Sequence, residues 1–475
     1  MKPVRTFTEE DWQATPKSVR ETYENLEKWI EQLSDIVEQH AGQIKQLNEQ
    51  INKLTNQTNK NSKNSSKPPS SDPPFKKPPK ETKAKNGKKR KRGGQKGHTG
   101  HQQELLPPTH EEIVMPTMCS CGCSDFNVTN FKPFYTHQVI EFPRIELDVT
   151  HFVLHKGQCP KCKKTVKATV PFENRTGYGP RMTATIAELS GTYGSSRDMI
   201  KDICRNIFGF HISTGTIQKV IDRASNAIEP VYNRIGELAR LAPVNHIDET
   251  SWFQSGLLRW LWVMVNHNTA FFKIHQNRSM EAFKSLIAEW SGILVSDGYG
   301  VYKKWVGLRQ TCLAHLIRDA RNLAERDDES IKRFGKNILD VLKRLCHFAK
   351  KPPTKKQWED CYAKLILFIL LFEGADDDAG KFAKRLSRDL DNLFTFLEEE
   401  GVEPTNNRAE RAIRFGVLWR KRSMGTQSDK GDRWVERILS IKQTCKLKFV
   451  SSFDVLFHSI DSFFKEQTPC LDWLN

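Results

Sequence analysis

The sequence predicts a multidomain α/β protein. Three observations support this: an N-terminal heptad repeat, cysteines clustered among short strand-like segments, and acidic residues that close two strand-like segments in a region rich in helical pattern. At roughly 150 residues per domain, 475 residues correspond to about three domains with hydrophobic cores. Hydrophobic residues make up 37% of the chain, which excludes a collagen-like or wholly disordered protein.

Membrane and secreted classes are excluded as well. The longest apolar run, residues 365–372, is too short to cross a bilayer. The first 12 residues are charged and contain no apolar signal segment, so we expect a cytoplasmic protein. Eleven cysteines without such a signal indicate reduced thiols or a metal site. With 74 Lys and Arg against 57 Asp and Glu, the net charge of +17 favours a polyanionic partner, most often nucleic acid.

Residues 15–56 are predicted to form a coiled coil. Position a is occupied by Tyr23, Ile30, Val37, Ile44 and Ile51, and position d by Leu26, Leu33, His40, Leu47 and Leu54. Largely β-branched residues at a with Leu at d favour a parallel two-stranded coiled coil. The alternative is an amphipathic helix that folds back on its own chain. Five sustained heptads favour self-association, so we expect a homodimer.

Residues 57–105 are predicted to form a disordered basic linker. Between residues 60 and 96, 14 Lys and Arg are opposed only by Asp72 and Glu81, so this stretch carries +12 of the +17 net charge. Few large apolar residues are present to offset the entropy of ordering. The linker is either a solubilising spacer or a non-specific phosphate-binding arm. Its candidate DNA contacts are Lys88, Lys89, Arg90, Lys91 and Arg92.

Residues 106–175 are predicted to form a zinc-binding module of short strands, with alternation clearest at Ile145, Leu147 and Val149. The candidate ligands are the C-x-C-x-C cluster of Cys119, Cys121 and Cys123 and the C-x-x-C pair of Cys159 and Cys162. Five thiols therefore compete for four places in a tetrahedral zinc site. The alternative is a set of buried free thiols, but the clustering favours structural zinc.

Residues 176–238 are predicted to form a helix-turn-helix-type module. The first helix would be capped at 195–196 and run to about residue 207, Gly209 would break it, and Ser213 would cap a second helix reaching about residue 223. The second helix would enter the major groove of DNA. The candidate contacts are Ser213, Thr216 and Lys219. The alternative is an ordinary helical pair of an all-α domain.

Three carboxylates are the strongest candidates for a catalytic site. Asp248 closes a strand-like segment, Asp297 closes a second apolar strand, and Glu410 lies at a helix start 113 residues later. Acidic residues at the carboxyl ends of strands project into the crevice where α/β proteins bind ligands. Such a trio can hold two divalent ions for an in-line phosphoryl displacement, and all-oxygen ligation selects Mg²⁺ or Mn²⁺.

Each carboxylate also has a structural interpretation. Asp297 could be a turn residue, Asp248 and Glu249 could form a solvated strand end, and Glu410 could complete a capping box with Asn407. Taken together, their placement favours the metal site.

Two further groups lie next to these acids. Cys312 and His315 follow the next strand, and we expect a buried structural pair beside the site. The basic side chains near Glu410 suit phosphates next to a metal site, although an ordinary basic helix is the alternative. The candidates are Arg408, Arg411 and Arg414.

The chain resembles transposases of the insertion sequence 66 family almost from end to end. The resemblance rests on residues 61–72 (Asn-Ser-Lys-Asn-Ser-Ser-Lys-Pro-Pro-Ser-Ser-Asp), residues 93–100 (Gly-Gly-Gln-Lys-Gly-His-Thr-Gly), the cysteine clusters, Asp248-Glu-Thr, Ser296-Asp-Gly-Tyr, Cys312-Leu-Ala-His and Asn406-Asn-Arg-Ala-Glu-Arg-Ala-Ile-Arg. It implies a ribonuclease-H-like catalytic core in residues 239–320 and 400–445, interrupted by a helical insertion, 321–399, and followed by a C-terminal tail, 446–475. It assigns the catalytic triad to Asp248, Asp297 and Glu410.

The resemblance also implies a function. The protein would cut DNA at the ends of an insertion sequence with two Mg²⁺ or Mn²⁺ ions and join the freed 3′-hydroxyl to target DNA, in association with chromosomal DNA. Cys119 and Cys121 fit the family best as zinc ligands beside Cys159 and Cys162, and Cys123 would be the spare thiol. Terminal repeats, target DNA and a second copy of the chain are the implied partners, with companion proteins of the same element in addition. Two other classes stay open: a metal-dependent nuclease without strand transfer, and a non-catalytic DNA-binding regulator.

Overall fold

The structure is a computed structural model that describes residues 7–61, 64–65, 99, 104–125 and 131–475. Its strands are β1 (Lys156–Gln158), β2 (Thr165–Lys167), β3 (Val244–Gln254), β4 (Leu257–Val265), β5 (Ala270–His275), β6 (Ile293–Ser296) and β7 (Arg309–Thr311). Its helices are α1 (Glu9–Ala14), α2 (Lys17–Thr58), α3 (Pro180–Gly191), α4 (Arg197–Asn206), α5 (Thr214–Ala227), α6 (Glu229–Leu241), α7 (Met280–Ile287), α8 (Leu313–Ala324), α9 (Glu329–Phe348), α10 (Lys355–Phe372), α11 (Asp378–Arg388), α12 (Thr395–Glu398), α13 (Asn407–Ser423), α14 (Asp429–Lys448) and α15 (Ser452–Phe464).

The heptad repeat lies on one long helix, α2. Its 42 residues span about 63 Å at 1.5 Å per residue. The apolar stripe remains open to solvent, with Val37 66% and Leu54 62% exposed. At its N-terminal end, Tyr23 packs against Phe7 and Trp12 with ring centroids 5.5 Å apart. Within the described part of the chain, α2 therefore does not fold back to cover its stripe, and its pairing with a second copy stays a prediction.

The strand prediction for residues 106–175 is largely wrong. Among the described residues of this region, only the three-residue strands β1 and β2 form, as one antiparallel pair. The alternating segment around Ile145, Leu147 and Val149 is not a strand, and Val149 is 67% exposed. Alternation favours a strand only when a neighbour accepts its backbone hydrogen bonds, and no described residue pairs with this segment.

A mixed five-stranded sheet forms the centre of the described structure, in the order β5-β4-β3-β6-β7. Strands β3, β4 and β5 are antiparallel neighbours, and β6 and β7 run parallel to β3. The strand-like segments predicted to close near Asp248 and at Asp297 correspond to β3 and β6. The fold is thus mixed α/β, as predicted.

Helices cover both faces of this sheet. Leu261 of β4 faces α13, where a side chain in place of Gly416 would meet it. The next residue, Trp262, points the other way and packs edge-on against Tyr302, which also contacts Phe283 of α7. The sheet, helices α3 to α7 and helices α13 to α15 share one hydrophobic core.

The two helices predicted between residues 195 and 223 are confirmed as α4 and α5. Ser196 accepts a hydrogen bond from the backbone N–H of Met199, and Ser213 accepts one from Thr216, so both predicted caps form. Gly209, at φ +75°, lies in the connection. Both helices pack in the common core with α3, α14 and α15, and α15 lies within the predicted tail.

Residues 321–399 are helical, as predicted. Helices α9 to α12 bury a second apolar cluster against α8 and the β6 edge of the sheet, including Val295 and Leu316. Ion pairs join this helical segment to the sheet region: Arg309 of β7 lies 3.0 Å from Asp389.

Among the described residues, every helix is too short or too polar to span a membrane.

Candidate active site

Asp248 lies within a strand rather than at its end. The sequence indicated that the strand closes there, but β3 continues to Gln254 because it pairs with β4 from His246 to Gln254. The carboxylate accepts a hydrogen bond from the backbone N–H of Glu249 at 2.9 Å. Burial raises the pKa of Asp248 well above its usual range, and the nearby charges of Glu249, Asp297 and Glu410 raise it further.

Asp297 directly follows β6, as predicted. The register pairs His246 of β3 with Val295 of β6, so that Asp297 comes level with Asp248 on the neighbouring parallel strand. Its Oδ1 accepts a hydrogen bond from the backbone N–H of Tyr299 at 2.8 Å. Asp297 is therefore a turn residue, as the structural interpretation predicted. The turn uses Oδ1, which leaves Oδ2 for other contacts.

Glu410 lies in the first turn of α13. The capping-box interpretation is wrong, because Asn406 is the N-cap and makes no side-chain capping hydrogen bond. Instead, Glu410 Oε1 accepts a hydrogen bond from Arg318 Nη2 at 3.0 Å and lies 3.7 Å from His315 Nε2. The glutamate is thus turned towards helix α8.

A buried amide holds the start of α13 against β3. Asn406 is fully buried, and its Nδ2 donates a hydrogen bond to the carbonyl of Ile247 at 2.8 Å. This contact fixes Glu410 near Asp248, which agrees with the influence of Glu410 on the pKa of Asp248. In the described ranges, however, no three His, Cys, Asp or Glu side chains lie close enough to hold one metal ion together.

Glu249 is a site residue whose environment the sequence did not predict. Its side chain is 1% exposed and accepts hydrogen bonds from the buried hydroxyl of Tyr302 and from Arg278 Nε at 2.7 Å. Arg278 also lies 3.8 Å from the ring centroid of Tyr299. Burial raises the pKa of Glu249, while Tyr302 and Arg278 oppose that rise. The solvated-strand-end interpretation is therefore wrong for Glu249, which braces the segment that follows Asp297.

Cys312 and His315 are buried beside the acids, as expected. Cys312 Sγ accepts a hydrogen bond from the backbone N–H of Asn406 at 3.1 Å, and burial raises the pKa of this thiol to about 11. Burial also lowers the pKa of His315, and the positive charge of Arg318 adds to that effect. The pair thus joins α8 to the start of α13.

The helical insertion also contacts the site. Arg385 of α11 donates a hydrogen bond to Asp319 of α8 at 2.8 Å. Its Nη2 lies so close to Gly298 that a Cβ there would be only 2.5 Å away. An arginine from the insertion therefore packs on the turn that follows Asp297.

Some of the predicted DNA-binding side chains are already bonded to other protein side chains, and others are exposed to solvent. Arg408 is paired with Glu403 and contacts His267, whereas Arg411 and Arg414 are exposed on α13. Ser213 and Thr216 bond to each other at 2.9 Å, and Lys219 is exposed. The run Lys88 to Arg92 lies outside the described residues.

The cysteine clusters form two separate turns. Gly122, at φ +87°, donates to the carbonyl of Cys119 at 2.9 Å, and Lys163, at φ +59°, donates to that of Cys159 at 2.8 Å. Backbone N–H groups of Cys121 and Cys162 lower the pKa values of the Cys119 and Cys159 thiols, respectively. Cys123 points its thiol at the carbonyl of Asp125, 3.6 Å away. As noted for the acids, three of these thiols do not come together in the described structure.

A mixed α/β fold whose acidic sheet edge is bordered by arginines, which bind phosphates, is compatible with enzymes that process nucleic acids. Comparison with known families gives the same class and names it. Residues 175–433 match the transposase IS66 family, and the chain belongs to that family. Residues 13–104 match a family of unknown function (DUF6444).

Two proteins of Sinorhizobium fredii (strain NBRC 101917 / NGR234) are similar to this chain. The uncharacterized protein y4hP is 24% identical over 388 residues, which cover 71% of this chain and 69% of the relative. The uncharacterized protein y4qI is 24% identical over 232 residues, covering 42% of this chain and 43% of the relative. The family indicates a transposase-type function and binding to DNA.

Proposed function

We propose that this protein is a metal-dependent DNA transposase with the catalytic triad Asp248, Asp297 and Glu410. It would hydrolyse a phosphodiester at the end of the mobile element and free a 3′-hydroxyl. That hydroxyl would attack a phosphodiester of target DNA, forming a new bond as the target 3′-oxygen leaves. The observation that carries the proposal is the convergence of three carboxylates at one edge of the sheet: the strand register brings Asp297 level with Asp248, and the bond from Asn406 to Ile247 holds the start of the Glu410 helix against the Asp248 strand.

The sheet order supports a ribonuclease-H-like core. Three antiparallel strands are followed by two strands parallel to the first, with the first acid on the central strand β3. The second acid follows the neighbouring strand β6, and the third comes from α13, after the helical segment 321–399. The order of elements is that expected of such a core with an insertion before its glutamate.

The acids fit hard divalent cations. Their donors are carboxylate oxygens, which Mg²⁺ and Mn²⁺ prefer. Burial raises the pKa of Asp248, the nearby carboxylates raise it further, and a bound cation would offset that repulsion. Asp248, Asp297 and Glu410 would hold the ions. Bound there, two divalent ions would activate the attacking oxygen and stabilise the leaving oxygen.

The remaining site residues would position these acids and the DNA. Asn406 ties the Glu410 helix to the Asp248 strand, and Glu249 braces the segment after Asp297 through Tyr302. Arg411 and Arg414 are exposed near Glu410 on α13 and would contact DNA phosphates.

Recognition of the element ends would use the N-terminal half. The cysteine turns would bind structural zinc through Cys119, Cys121, Cys159 and Cys162, with Cys123, already turned to Asp125, as the spare thiol. Helix α5 would enter the major groove through its exposed N-terminal residues. The exposed stripe of α2 would pair two copies so that both element ends are held together, and companion proteins of the element would complete the assembly.

Asp248→Asn is the test of the proposed catalytic site. In a strand-transfer assay with labelled element-end DNA and Mg²⁺, this variant should bind DNA normally and lose joining by at least about 10³-fold. The matched control is Asp432→Asn, which changes a buried carboxylate on α14 and should retain joining. Wild-type joining by Asp248→Asn would refute the triad. If the unsubstituted protein cleaves DNA but does not join it, the protein is a nuclease instead. If it binds DNA but catalyses neither reaction, it is a regulator.

A further inference from the structure

Helix α8 places an arginine and a histidine against the third acid. Arg318 and His315 are three residues apart and therefore lie on one face of the helix. Arg318 Nη2 is 3.0 Å and His315 Nε2 is 3.7 Å from the same oxygen, Oε1 of Glu410. This oxygen is one that the proposed function gives to a divalent ion.

Arg318 is half-buried, and its hydrogen-bond donors are only partly satisfied. Its side chain is 22% exposed, and its Nε is buried without a hydrogen-bond partner among the described residues. A guanidinium carries five donors in a planar fork that matches carboxylates and phosphates equally well. Arg318 therefore keeps donors for a second anion at the place where Glu410 meets the other acids.

Arg318 and a bound ion would compete for Glu410. Glu410 lies near enough to Asp248 to raise the pKa of that carboxyl, and Arg318 compensates the charge of Glu410. A divalent cation on Glu410 would repel Arg318 and compete with it for the same carboxylate. A DNA phosphodiester that enters with the ion would offer the guanidinium a new anionic partner.

We propose that Arg318 exchanges partners during the reaction: it neutralises Glu410 before ions bind and then binds the phosphodiester that is to be cut. The proposal rests on the proposed function. It makes Arg318 a competitor of the metal and a ligand of the DNA, two roles that affect metal affinity and joining in opposite directions.

Mn²⁺ binding separates this exchange from a structural role. The titration follows free Mn²⁺ by electron paramagnetic resonance with the full-length protein and no DNA. Arg318→Gln should bind Mn²⁺ tighter by about threefold or more, because a competing charge is gone, and should lose joining by about 10- to 100-fold. Arg318→Lys keeps the charge but not the fork, so its Mn²⁺ affinity should stay within about twofold of wild type while joining falls.

The matched control is Arg344→Gln. It breaks an ion pair with Asp360 inside the helical insertion and should change neither Mn²⁺ affinity nor joining. Unchanged or weaker Mn²⁺ binding by folded Arg318→Gln, or full joining by either Arg318 variant, would overturn the exchange. Asp248→Asn, measured in parallel, shows whether only the partner exchange of Arg318 has failed or the proposed metal site as well. If it no longer binds Mn²⁺ while Arg318→Gln binds no tighter than wild type, only the exchange fails. If Asp248→Asn binds Mn²⁺ as wild type does, both proposals fail.

Discussion

Asn406→Ala should damage the site far more than the fold. The substitution removes the 2.8 Å hydrogen bond from Asn406 Nδ2 to the carbonyl of Ile247, in a fully buried position. Losing such a bond costs about 1–3 kcal/mol. Asn406 makes no side-chain capping bond, so no loss of helix capping adds to this figure. We therefore expect a loss of about 1–3 kcal/mol in the free energy of unfolding.

Joining should fall much further, because the same hydrogen bond sets the distance between the Glu410 helix and the Asp248 strand. A displacement of about 1 Å between catalytic groups costs about 10²-fold in rate. The assays are urea denaturation and strand transfer with labelled element-end DNA. The matched control is Asn245→Ala, since Asn245 is also fully buried on β3 and donates to the carbonyl of Ala239 at 2.9 Å, away from the acids. It should lose similar stability but retain joining. Wild-type joining by Asn406→Ala would refute the idea that this amide holds the triad together.

Three further outcomes can be checked. Burial raises the pKa of Glu436 to about 7, above its unfolded value of 4.5. The charged carboxylate therefore lowers the free energy of unfolding above pH 7, and this destabilisation disappears as the pH falls towards 4.5. Glu436→Gln should therefore be more stable than wild type by about 2 kcal/mol at pH 8 and not at pH 5 in urea denaturation, and a pH-independent difference would contradict this. In Gly335→Ala the new Cβ would lie 2.3 Å from a backbone nitrogen of α8, which should cost about 1–3 kcal/mol in thermal unfolding, whereas Gly374→Ala meets no atom within 4 Å and should cost less. Leu33→Lys places a charge on the exposed stripe of α2 and should convert a dimer into a monomer in light scattering, whereas Lys28→Gln, outside the heptad core, should leave the mass unchanged.

The sheet and the position of the acids were predictable because local pattern determined them. A strand-like segment marked β3, and a short apolar run placed Asp297 at the end of β6. The extent of β3 beyond Asp248 was not predictable in this way, because pairing with β4 decides where the strand ends.

The environment of Glu249 was out of reach of the sequence for a different reason. Alternation along a strand places it on the face opposite Asp248, but its partners Tyr302 and Arg278 come from segments 53 and 29 residues away along the chain. The pairing of Arg408 with Glu403 likewise depends on the geometry of the turn before α13. The segment near Val149 was predicted to be a strand and is not one. An alternating pattern without a neighbouring strand forms no sheet.

The long segment between the second and third acids also governs when the site can form during synthesis. A ribosome that adds about 5–20 residues per second needs roughly 6–23 s to travel the 113 residues from Asp297 to Glu410. Helix α14 is made later still. Its side chains both donate hydrogen bonds to backbone groups of β5 and accept hydrogen bonds from them. Until then the nascent chain holds two acids without the third. Under the proposed function, a growing chain would therefore be unable to cut DNA, and each new molecule would become active only when residues 321–399 have been made and folded.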